Sequence, residues 1–282
     1  MLIIDGSLSR EKLRDLRSLD SMKIRRKKGL CIVEGDRSLG EALRTGRLLY
    51  LVASEERAMG GSSVPIQLQT VDVPCYTLGR EHFRKISGVK TGTGLIGIAR
   101  IPASGDLHEL KDPSDRSALF YLDGIQEPGN VGGLIRTAWA LGWTGVMLGK
   151  GTADPFSAKG VRASAGAVFH LPLYGDMGAR QIEELLARDY SLFVADREGQ
   201  DYRQVTYPER LILALGNEGA GSSDWIRRRG QSVGIPLAEG ADSLNVVVAG
   251  GIIAAEMVSI IGHGDRTSPR RRVPPSPRHG RS

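Results

Sequence analysis

Residues 122–141 read LDGIQEPGNVGGLIRTAWAL and predict the passage from a strand to a helix around which the second half of the chain is built. A short apolar run, Ala118–Leu122, leads into an acidic turn that contains a Pro-Gly pair. The extended run ends there because proline cannot donate to a sheet and glycine permits a sharp reversal. Asn130 is a favourable helix N-cap residue, and apolar residues recur after it at helical spacing. Since ligands of open α/β sheets collect beyond strand ends, Arg136 on this helix is either a solvent-exposed charge or a functional group.

Two later stretches repeat this pattern of a short apolar strand followed by a glycine-rich turn. Residues 211–221 read LILALGNEGAG, and residues 233–251 read VGIPLAEGADSLNVVVAGG. Three pieces resemble, in this order, the motifs of the SpoU (TrmH) family of RNA ribose 2′-O-methyltransferases, within the SPOUT superfamily: Pro128–Ala138 (PGNVGGLIRTA), Leu215–Gly221 (LGNEGAG) and Ile235–Val246 (IPLAEGADSLNV). One such motif would carry little weight, but three in order across most of the second half of the chain are a strong signal.

The composition is typical of a globular protein, with 40% hydrophobic and 25% charged residues in a chain of 282. No apolar run approaches the roughly 18 residues of a membrane span. The first residues lack the basic and apolar segments of a signal peptide, so a cytoplasmic protein is expected. Cys31 and Cys75 lie in apolar, strand-like runs and are expected to be buried thiols rather than a disulfide. The five histidines are scattered rather than spaced as metal ligands, so no metal is expected.

The net charge of +6 is concentrated in a few places. The tail 265–282 holds six arginines and one aspartate, and its Arg/Pro/Ser-rich composition predicts disorder. The tail is either an electrostatic RNA tether or a disordered extension that binds no RNA. The segment KIRRKK is either a solvated helix face or a phosphate-binding patch, and its position ahead of a predicted strand favours a surface presented to RNA. Its basic residues are Lys23, Arg25, Arg26, Lys27 and Lys28.

Strands and helices alternate in two blocks, which indicates two α/β domains joined by a linker. Residues 1–100 form the first block. Within it, Ile32–Leu43 (IVEGDRSLGEAL) resembles the opening of the RNA-binding domain, of ribosomal-protein type, that precedes the catalytic domain in many SpoU proteins. Residues 101–117 are polar, hold two prolines and predict the linker. Residues 118–264 form the second block, which is expected to be the methyltransferase domain.

The apolar runs predict where the individual elements lie. Strands are expected at 30–34, 48–52, 73–78, 94–99, 118–122, 145–148, 192–195, 211–215 and 233–235. Helices are expected at 35–44, 80–86, 131–141, 179–187, 223–229 and 245–261, with a further short helix in 157–167 and a loop at 55–63. The run LILALG is apolar throughout and fits a parallel sheet covered on both faces. The last helix is apolar nearly all round and is expected to be deeply packed.

The resemblance implies features that the residue pattern alone does not. A SPOUT-type α/β domain contains a deep trefoil knot, in which the last part of the chain threads through an earlier loop. Small residues in 216–221 and 249–255 permit one backbone to pass close to another. Members of the family are typically homodimers that pack through the knot region, so a homodimer is implied here.

The resemblance also implies the cofactor S-adenosylmethionine, which the family holds mainly with backbone groups. The matching cofactor-binding positions are Leu215, Gly216, Asn217, Gly219, Ile235 and Leu244. The matching catalytic positions are Asn130, Arg136, Glu218, Ser243 and Asn245. Without a Cβ at Gly216, the main chain can touch the adenosine. Asn130 and Asn245 can serve as helix N-caps at the same time.

The charged residues of the motifs have definable roles in methyl transfer to a ribose 2′-hydroxyl. Arg136 is expected to act as a cation rather than as a base, because guanidinium stays protonated in proteins. It can hold the adjacent phosphate and stabilise negative charge that develops on the 2′-oxygen. Glu218 either orders Arg136, accepts a hydrogen bond from ribose, or is a solvated turn residue. The sulfonium makes the methyl group electrophilic without a metal.

Several other functions fit part of the pattern. A tRNA substrate or an antibiotic-resistance rRNA methyltransferase stays within the class, and the extra N-terminal domain favours rRNA, most simply 23S rRNA. A non-catalytic RNA-binding protein on the same fold is a more distant alternative. A nucleotide-binding oxidoreductase is disfavoured, because the turn before Arg136 reads GxxGG rather than GxGxxG, and no acidic residue closes the next strand.

Overall fold

The computed structural model describes residues 5–59, 73–87, 94–110 and 116–261. The basic tail predicted at 265–282 and part of the predicted linker, 111–115, lie outside the described residues. The helices are α1 (Arg10–Ser18), α2 (Met22–Lys28), α3 (Asp36–Arg44), α4 (Glu55–Met59), α5 (Arg80–Ile86), α6 (Pro128–Leu141), α7 (Ala158–Ala163), α8 (Ala179–Leu186), α9 (Asp224–Arg229) and α10 (Val246–Ile261). The strands are β1 (Leu30–Glu34), β2 (Leu48–Ser54), β3 (Cys75–Leu78), β4 (Leu95–Arg100), β5 (Ser117–Asp123), β6 (Gly145–Gly149), β7 (Leu173–Met177), β8 (Ser191–Asp201), β9 (Arg210–Gly216) and β10 (Gln231–Gly234).

The N-terminal sheet has the strand order β1-β4-β2-β3, with β4 antiparallel to both of its neighbours and β3 parallel to β2. Successive side chains of a strand point to opposite faces. On one face Ile96 packs in a cluster with Leu16 of α1 and Phe83 of α5. On the other face Leu95 belongs to a cluster that continues into the second domain. The first domain therefore shares part of its core with the second.

The second sheet has six parallel strands in the order β10-β8-β9-β5-β6-β7. Side chains of α6, α7 and α10 pack on one face, and side chains of α8 and α9 pack on the other. Leu211–Leu215 of β9 are fully buried, which confirms the parallel sheet covered on both faces that LILALG predicts. The α/β class is confirmed, and the trefoil knot stays a prediction.

Four elements differ from the sequence expectations. Strand β8, expected at 192–195, runs from Ser191 to Asp201, because its second half pairs with β10 after a shift in register. Strand β7 is not predicted, because Leu173–Met177 holds a Gly-Asp pair in place of an apolar run. The strand lies at the sheet edge, where it has one neighbouring strand and fewer of its side chains need to be apolar. The short helix α4 occupies part of the expected loop at 55–63. Helix α10 is not buried all round, since Val248 and Ile252 are 49% and 36% exposed.

The two domains are joined by a buried carboxylate on α3. Glu41, with its side chain 2% exposed, accepts a 2.7 Å hydrogen bond from Nε2 of His170 in the second domain and pairs with Arg44. The imidazole of His170 stacks on Trp139 of α6, with ring centroids 4.6 Å apart. A Cβ at Gly166 would lie 2.5 Å from the Cβ of Glu41, so the domains approach each other closely there. These contacts fix the first domain against the helix that carries Arg136.

The two cysteines are free and buried, as predicted for Cys31 and Cys75. Burial, aided by Asp154, raises the pKa of the Cys31 thiol to about 12. Burial, aided by Asp5, raises the pKa of the Cys75 thiol to about 11. Neither thiol is poised to ionise near neutral pH.

Among the described helices, none combines the length and the apolar character needed to cross a membrane.

Candidate active site

Three loops that lie far apart in the sequence meet at one edge of the second sheet. The carboxylate of Glu218 accepts a 2.9 Å hydrogen bond from Nδ2 of Asn130. It also accepts from the backbone amides of Gln126 and Glu127, at 3.3 and 3.4 Å. Oδ1 of Asn130 in turn accepts a 3.3 Å hydrogen bond from Nδ2 of Asn245. Each of the three motifs therefore contributes one member to a polar chain, which we call the Asn-Glu-Asn network (Asn130, Glu218 and Asn245).

The strand order explains why the Asn-Glu-Asn network forms. Strands β5 and β9 are neighbours, and their pairing runs to Asp123 opposite Gly216 at their carboxyl ends. Helices α6 and α9 leave the sheet from these two strands, and the chain builds the sheet outward in opposite directions on either side of them. Ligands of open α/β sheets bind at such a switch point.

The turn after β9 is held by its asparagine. The backbone N–H and C=O of Asn217 pair with those of Gly221, at 3.0 and 2.9 Å. Oδ1 of Asn217 accepts from the backbone amide of Gly219 at 3.0 Å, while Nδ2 donates to the carbonyl of Gly124 at 2.9 Å. The Asn217 side chain thus shapes the turn and ties it to the loop after β5, and its place among the cofactor-binding positions stays a prediction.

The Glu218 carboxylate is ionised at neutral pH. Burial pulls its pKa upward, but hydrogen bonds from Asn130 and from the backbone amides of Glu218, Gln126 and Glu127 outweigh burial, and the net pKa is lowered. Glu218 therefore neither contacts Arg136 nor stands as a free turn residue. It orients the Asn130 side chain and closes the loop after β5.

A groove of about 310 Å³ lies beside the Asn-Glu-Asn network, between the middle of β8, the carboxyl ends of β9 and β10, and the start of α10. Eight of the predicted site residues line it: Leu215, Gly216, Asn217, Glu218, Ile235, Ser243, Leu244 and Asn245. Gly219, also predicted to bind the cofactor, is exposed on the turn and is not among the lining residues.

The groove also contains residues that the sequence analysis misses. The middle of β8, just beyond the residues that pair with β9, contributes Ala195, Asp196 and Arg197. Helix α10 contributes apolar side chains that include Ala249 and Ile253. The signal that could have found Asp196 is its place directly after the predicted apolar strand 192–195, where the pairing of β8 with β9 has just ended. The sequence does not reveal that β8 lies between β9 and β10, and that order is what brings this carboxylate into the groove.

The structure gives a steric reason for glycine at position 216, beside the predicted contact with adenosine. A Cβ there would lie 2.1 Å from the backbone nitrogen of Ser222 and 2.3 Å from the carbonyl carbon of Gly221. Glycine is therefore required for the turn to fold back on β9, whatever the groove binds.

The two asparagines differ as helix caps. Oδ1 of Asn245 accepts a 2.9 Å hydrogen bond from the backbone amide of Val247, which confirms Asn245 as the cap of α10. The cap assignment for Asn130 is wrong, because α6 begins at Pro128 and Glu127 is its N-cap residue, accepting from the amide of Gly129 at 2.8 Å. With its backbone inside the first turn, Asn130 keeps its side chain free for Glu218.

Arg136 lies on the outer face of α6. It is exposed, makes no hydrogen bond or ion pair with any residue that the structure describes, and is not among the residues that line the groove. The next residue, Thr137, lies 3.7 Å from where a Cβ at Gly251 of α10 would be. Arg136 is therefore beside the α6–α10 contact rather than in the groove of its own chain.

The basic segment predicted to bind RNA forms α2, and one member is wrongly assigned. Arg25 is buried and donates through Nη2 to Asp154 Oδ2 at 2.6 Å. Its Nη1 also donates to the carbonyls of Leu19 and Asp20. Arg25 therefore holds the second domain and is not available to RNA. The other four are exposed: Lys23, Arg26, Lys27 and Lys28, the last paired with Asp15 at 2.7 Å.

Comparison with known proteins identifies the class. Residues 117–255 match the SpoU rRNA Methylase family, and residues 10–97 match an MRM3-like substrate binding domain. The chain is 32% identical over 251 residues to the 23S rRNA (guanosine(2553)-2′-O)-methyltransferase RlmP of Bacillus subtilis (strain 168), covering 88% of this chain and 96% of that protein. The chain therefore belongs to the SpoU rRNA methylase family, as the three motifs predict.

Two further similarities bear on substrate and cofactor. The chain is 33% identical over 171 residues to the 23S rRNA (adenosine(1067)-2′-O)-methyltransferase of Streptomyces laurentii, covering 56% of this chain and 59% of that protein. The crystal structure of an AdoMet-bound rRNA methyltransferase from Sinorhizobium meliloti matches the fold with a TM-score of 0.74 and 27% identity, covering 90% of this chain and 97% of that one.

Proposed function

We propose that this protein transfers the methyl group of S-adenosylmethionine to a ribose 2′-hydroxyl of 23S rRNA. The observation that carries the proposal is the Asn-Glu-Asn network, in which all three family motifs meet beside a groove at the carboxyl edge of the sheet. Two relatives are named for 2′-O-methylation of 23S rRNA, one at a guanosine and one at an adenosine. Their different targets leave the methylated nucleotide to experiment.

The residues of the groove fit S-adenosylmethionine. When bound, this cofactor supplies an electrophilic methyl group on a sulfonium. Apolar side chains such as Leu215, Val246 and Ile253 suit an adenine ring and a thioether, and the backbone around Gly216 and Ile235 offers polar groups. The predicted cofactor-binding residues that line the groove, together with Asp196, would hold the molecule. A carboxylate such as that of Asp196 is suited to an ammonium group or to ribose hydroxyls.

The polar residues beside the groove orient the acceptor. The lone pairs of Glu218 already receive Asn130 and two backbone amides, so Glu218 holds Asn130 in place rather than taking the 2′-hydroxyl proton. Ser243 and Asn245, on the loop before α10, offer further groups to the ribose. Arg136 holds the neighbouring phosphate and stabilises negative charge on the 2′-oxygen as its proton leaves.

A homodimer would bring Arg136 to a site. The exposed apolar side chains of α10 recur on one face at Val248, Ile252 and Ala255, next to the outer face of α6 that carries Arg136. Such a stripe is costly to leave in water. We propose that two copies pack through this face, so that Arg136 of one chain serves the groove of its partner. The trefoil knot remains part of the proposal for residues 118–264.

The domains divide the work. We assign RNA recognition to residues 1–100 and catalysis to residues 118–264, within a cytoplasmic protein that meets its rRNA there. The substrate-binding match over 10–97 supports the first assignment.

Incubation with tritiated S-adenosylmethionine and unmodified 23S rRNA transcripts, followed by ribose-methylation mapping, tests the function. One position should be labelled, and unmodified tRNA in a parallel reaction should not be. Label confined to tRNA would replace rRNA by tRNA as substrate. Cofactor binding by calorimetry without label in either RNA would favour a non-catalytic RNA-binding protein.

Arg136→Ala and Arg136→Lys test the proposed cation under single-turnover conditions. The alanine variant should lose at least about 100-fold in methyl transfer, the scale of removing one group that stabilises an oxyanion. Arg228→Ala, which removes an exposed arginine from α9 on the opposite face of the sheet, should keep the wild-type rate. Near-wild-type rates of methyl transfer in both variants would show that Arg136 is only a surface charge.

Sedimentation tests the dimer. Ile252→Asp should give monomers at micromolar concentration, and mixing monomeric Ile252→Asp with Arg136→Ala should not restore activity. A wild-type chain that sediments as a monomer while fully active would remove the need for a partner.

A further inference from the structure

A second groove, of about 450 Å³, runs between the two domains. Basic side chains from both domains line it: Arg17 and Lys85 from α1 and α5, Lys159 and Arg162 from α7, and the buried Arg25. Of the described residues that line it, Asp20 alone carries a carboxylate. An anionic ligand is therefore favoured along its length.

Carboxylates hold most of these cations from outside the groove. Nζ of Lys159 lies 2.7 Å from Glu127, and Nζ of Lys85 lies 2.7 Å from Glu81, yet neither carboxylate is a lining residue. Both pairs are solvent-exposed, and exposed ion pairs add little to stability. A phosphate can therefore bind either lysine at little cost. Arg17 is exposed and has no ion pair within the described part of the chain.

The groove borders the loop that carries Asn130 of the candidate active site. Pro128, the first residue of α6, forms part of its wall, and Asn130 of the Asn-Glu-Asn network follows two residues later. Lys159 is tied to the N-cap residue of the same helix, Glu127. A polyanion that presents one ribose at Asn130 would thus have its neighbouring phosphates at the mouth of this groove.

We propose that the interdomain groove binds the phosphodiester backbone of the RNA strand that flanks the methylated nucleotide, with Arg17, Lys85 and Lys159 as phosphate ligands. The inference rests on the proposed function and names the surface that the function uses. It differs from the patch predicted on α2, where Arg25 is buried and Lys28 is paired. The groove spans both domains, so their fixed arrangement sets the distance between the RNA contacts and the reacting ribose.

The test removes three charges from the groove and three from a matched surface. The groove variant is Arg17→Gln, Lys85→Gln and Lys159→Gln. The control variant replaces Arg180, Arg227 and Arg228 by glutamine, all exposed on α8 and α9 across the sheet. Binding of an unmodified 23S rRNA transcript is measured by filter retention between about 0.05 and 0.3 M salt. Over roughly this range, the affinity that comes from phosphate contacts falls steeply as the salt concentration rises.

The salt slope is the fall in the logarithm of RNA affinity per unit of log salt concentration, and each lost phosphate contact should reduce it by about 0.7. The groove variant should therefore lose about 2 in slope and about 50-fold in affinity near 0.15 M salt. The control variant should stay within about twofold of wild type, since it loses the same charge away from RNA. Calorimetry with S-adenosylmethionine should give both variants the wild-type affinity, which shows that the fold is intact.

Equal RNA affinities for the groove and control variants would overturn the inference while leaving the methyltransferase function standing. A loss seen instead in a variant of Lys23, Arg26 and Lys27 would also overturn it and would assign the phosphates to α2. A wild-type chain that neither binds nor methylates the transcript would overturn the proposed function and the groove together.

Discussion

The Arg25→Gln variant should be less stable to unfolding than the wild type, although the change removes no RNA contact directly. The guanidinium donates to Asp154 Oδ2 through Nε at 2.8 Å and Nη2 at 2.6 Å, with the two side chains 7% and 9% exposed. It also donates to the carbonyls of Leu19 and Asp20, at 2.7 and 2.8 Å. Glutamine cannot replace all four hydrogen bonds, so a carboxylate would stay buried without its cation.

The magnitude follows from that uncompensated carboxylate. Removing one partner of a buried ion pair costs about 3–5 kcal/mol. Asp154 keeps a 3.0 Å hydrogen bond from the backbone amide of Phe156, which places the expected loss at the lower end. We therefore expect the free energy of unfolding to fall by about 3 kcal/mol, which is about 150-fold in the unfolding equilibrium.

Urea denaturation followed by circular dichroism measures the change in midpoint. Lys27→Gln is the matched control on the same helix, because Lys27 is exposed and should change stability by no more than about 0.5 kcal/mol. Arg25→Gln combined with Asp154→Asn should cost less than the sum of the two single changes, by about 2 kcal/mol, since the two side chains are in contact. Two results would refute the reasoning: a loss below about 1 kcal/mol for Arg25→Gln, or unchanged stability with weakened RNA binding.

Three further predictions concern the active-site turn and the buried thiols. Gly216→Ala should abolish cofactor binding in calorimetry, because its Cβ would lie 2.1 Å from the backbone nitrogen of Ser222; wild-type affinity would show that the turn can shift. Glu218→Gln should reduce stability by about 1 kcal/mol near pH 7, since an amide cannot accept from every donor that the carboxylate serves. Because the pKa of Glu218 is lowered from 4.5, this stabilisation is present above pH 4.5 and is lost as the pH falls through the folded-state value, so the gap between wild type and variant should close in acid unfolding curves. Burial raises the pKa of the Cys31 thiol to about 12, so it should resist a thiol-specific dye at pH 8 until urea unfolds the chain; rapid labelling of the native protein would contradict this.

The local sequence pattern was sufficient to predict much of the structure of the second domain. The uninterrupted apolar run of β9 predicts a strand buried on both faces, and Leu211–Leu215 are so buried. Parallel strands direct their carboxyl ends to one edge of a sheet, so polar turns that follow such strands lie at that edge. Asn245 was identifiable as a cap because its side chain acts on the next few residues of its own helix.

The local sequence pattern could not predict the order of the strands in the sheet. Asn130 meets Glu218 because β5 pairs with β9, and Asp196 enters the groove because β8 lies between β9 and β10. A strand of the same apolar character would be equally stable beside another neighbour. The pairing is decided by how all the helices and strands pack together.

By itself, the sequence determined most of the succession of strands and helices, the family and the chemistry available in the three motif loops, since these depend on residue type and short-range spacing. Only the tertiary structure decided which charges are free. Arg25 and Lys27 belong to the same basic run, yet Arg25 is buried against Asp154, 129 residues away, and Lys27 faces solvent. Helix α10 reads as apolar nearly all round, yet one of its faces stays uncovered. Periodicity shows which side of an element is apolar or charged, whereas burial depends on the partner that folding brings against that side.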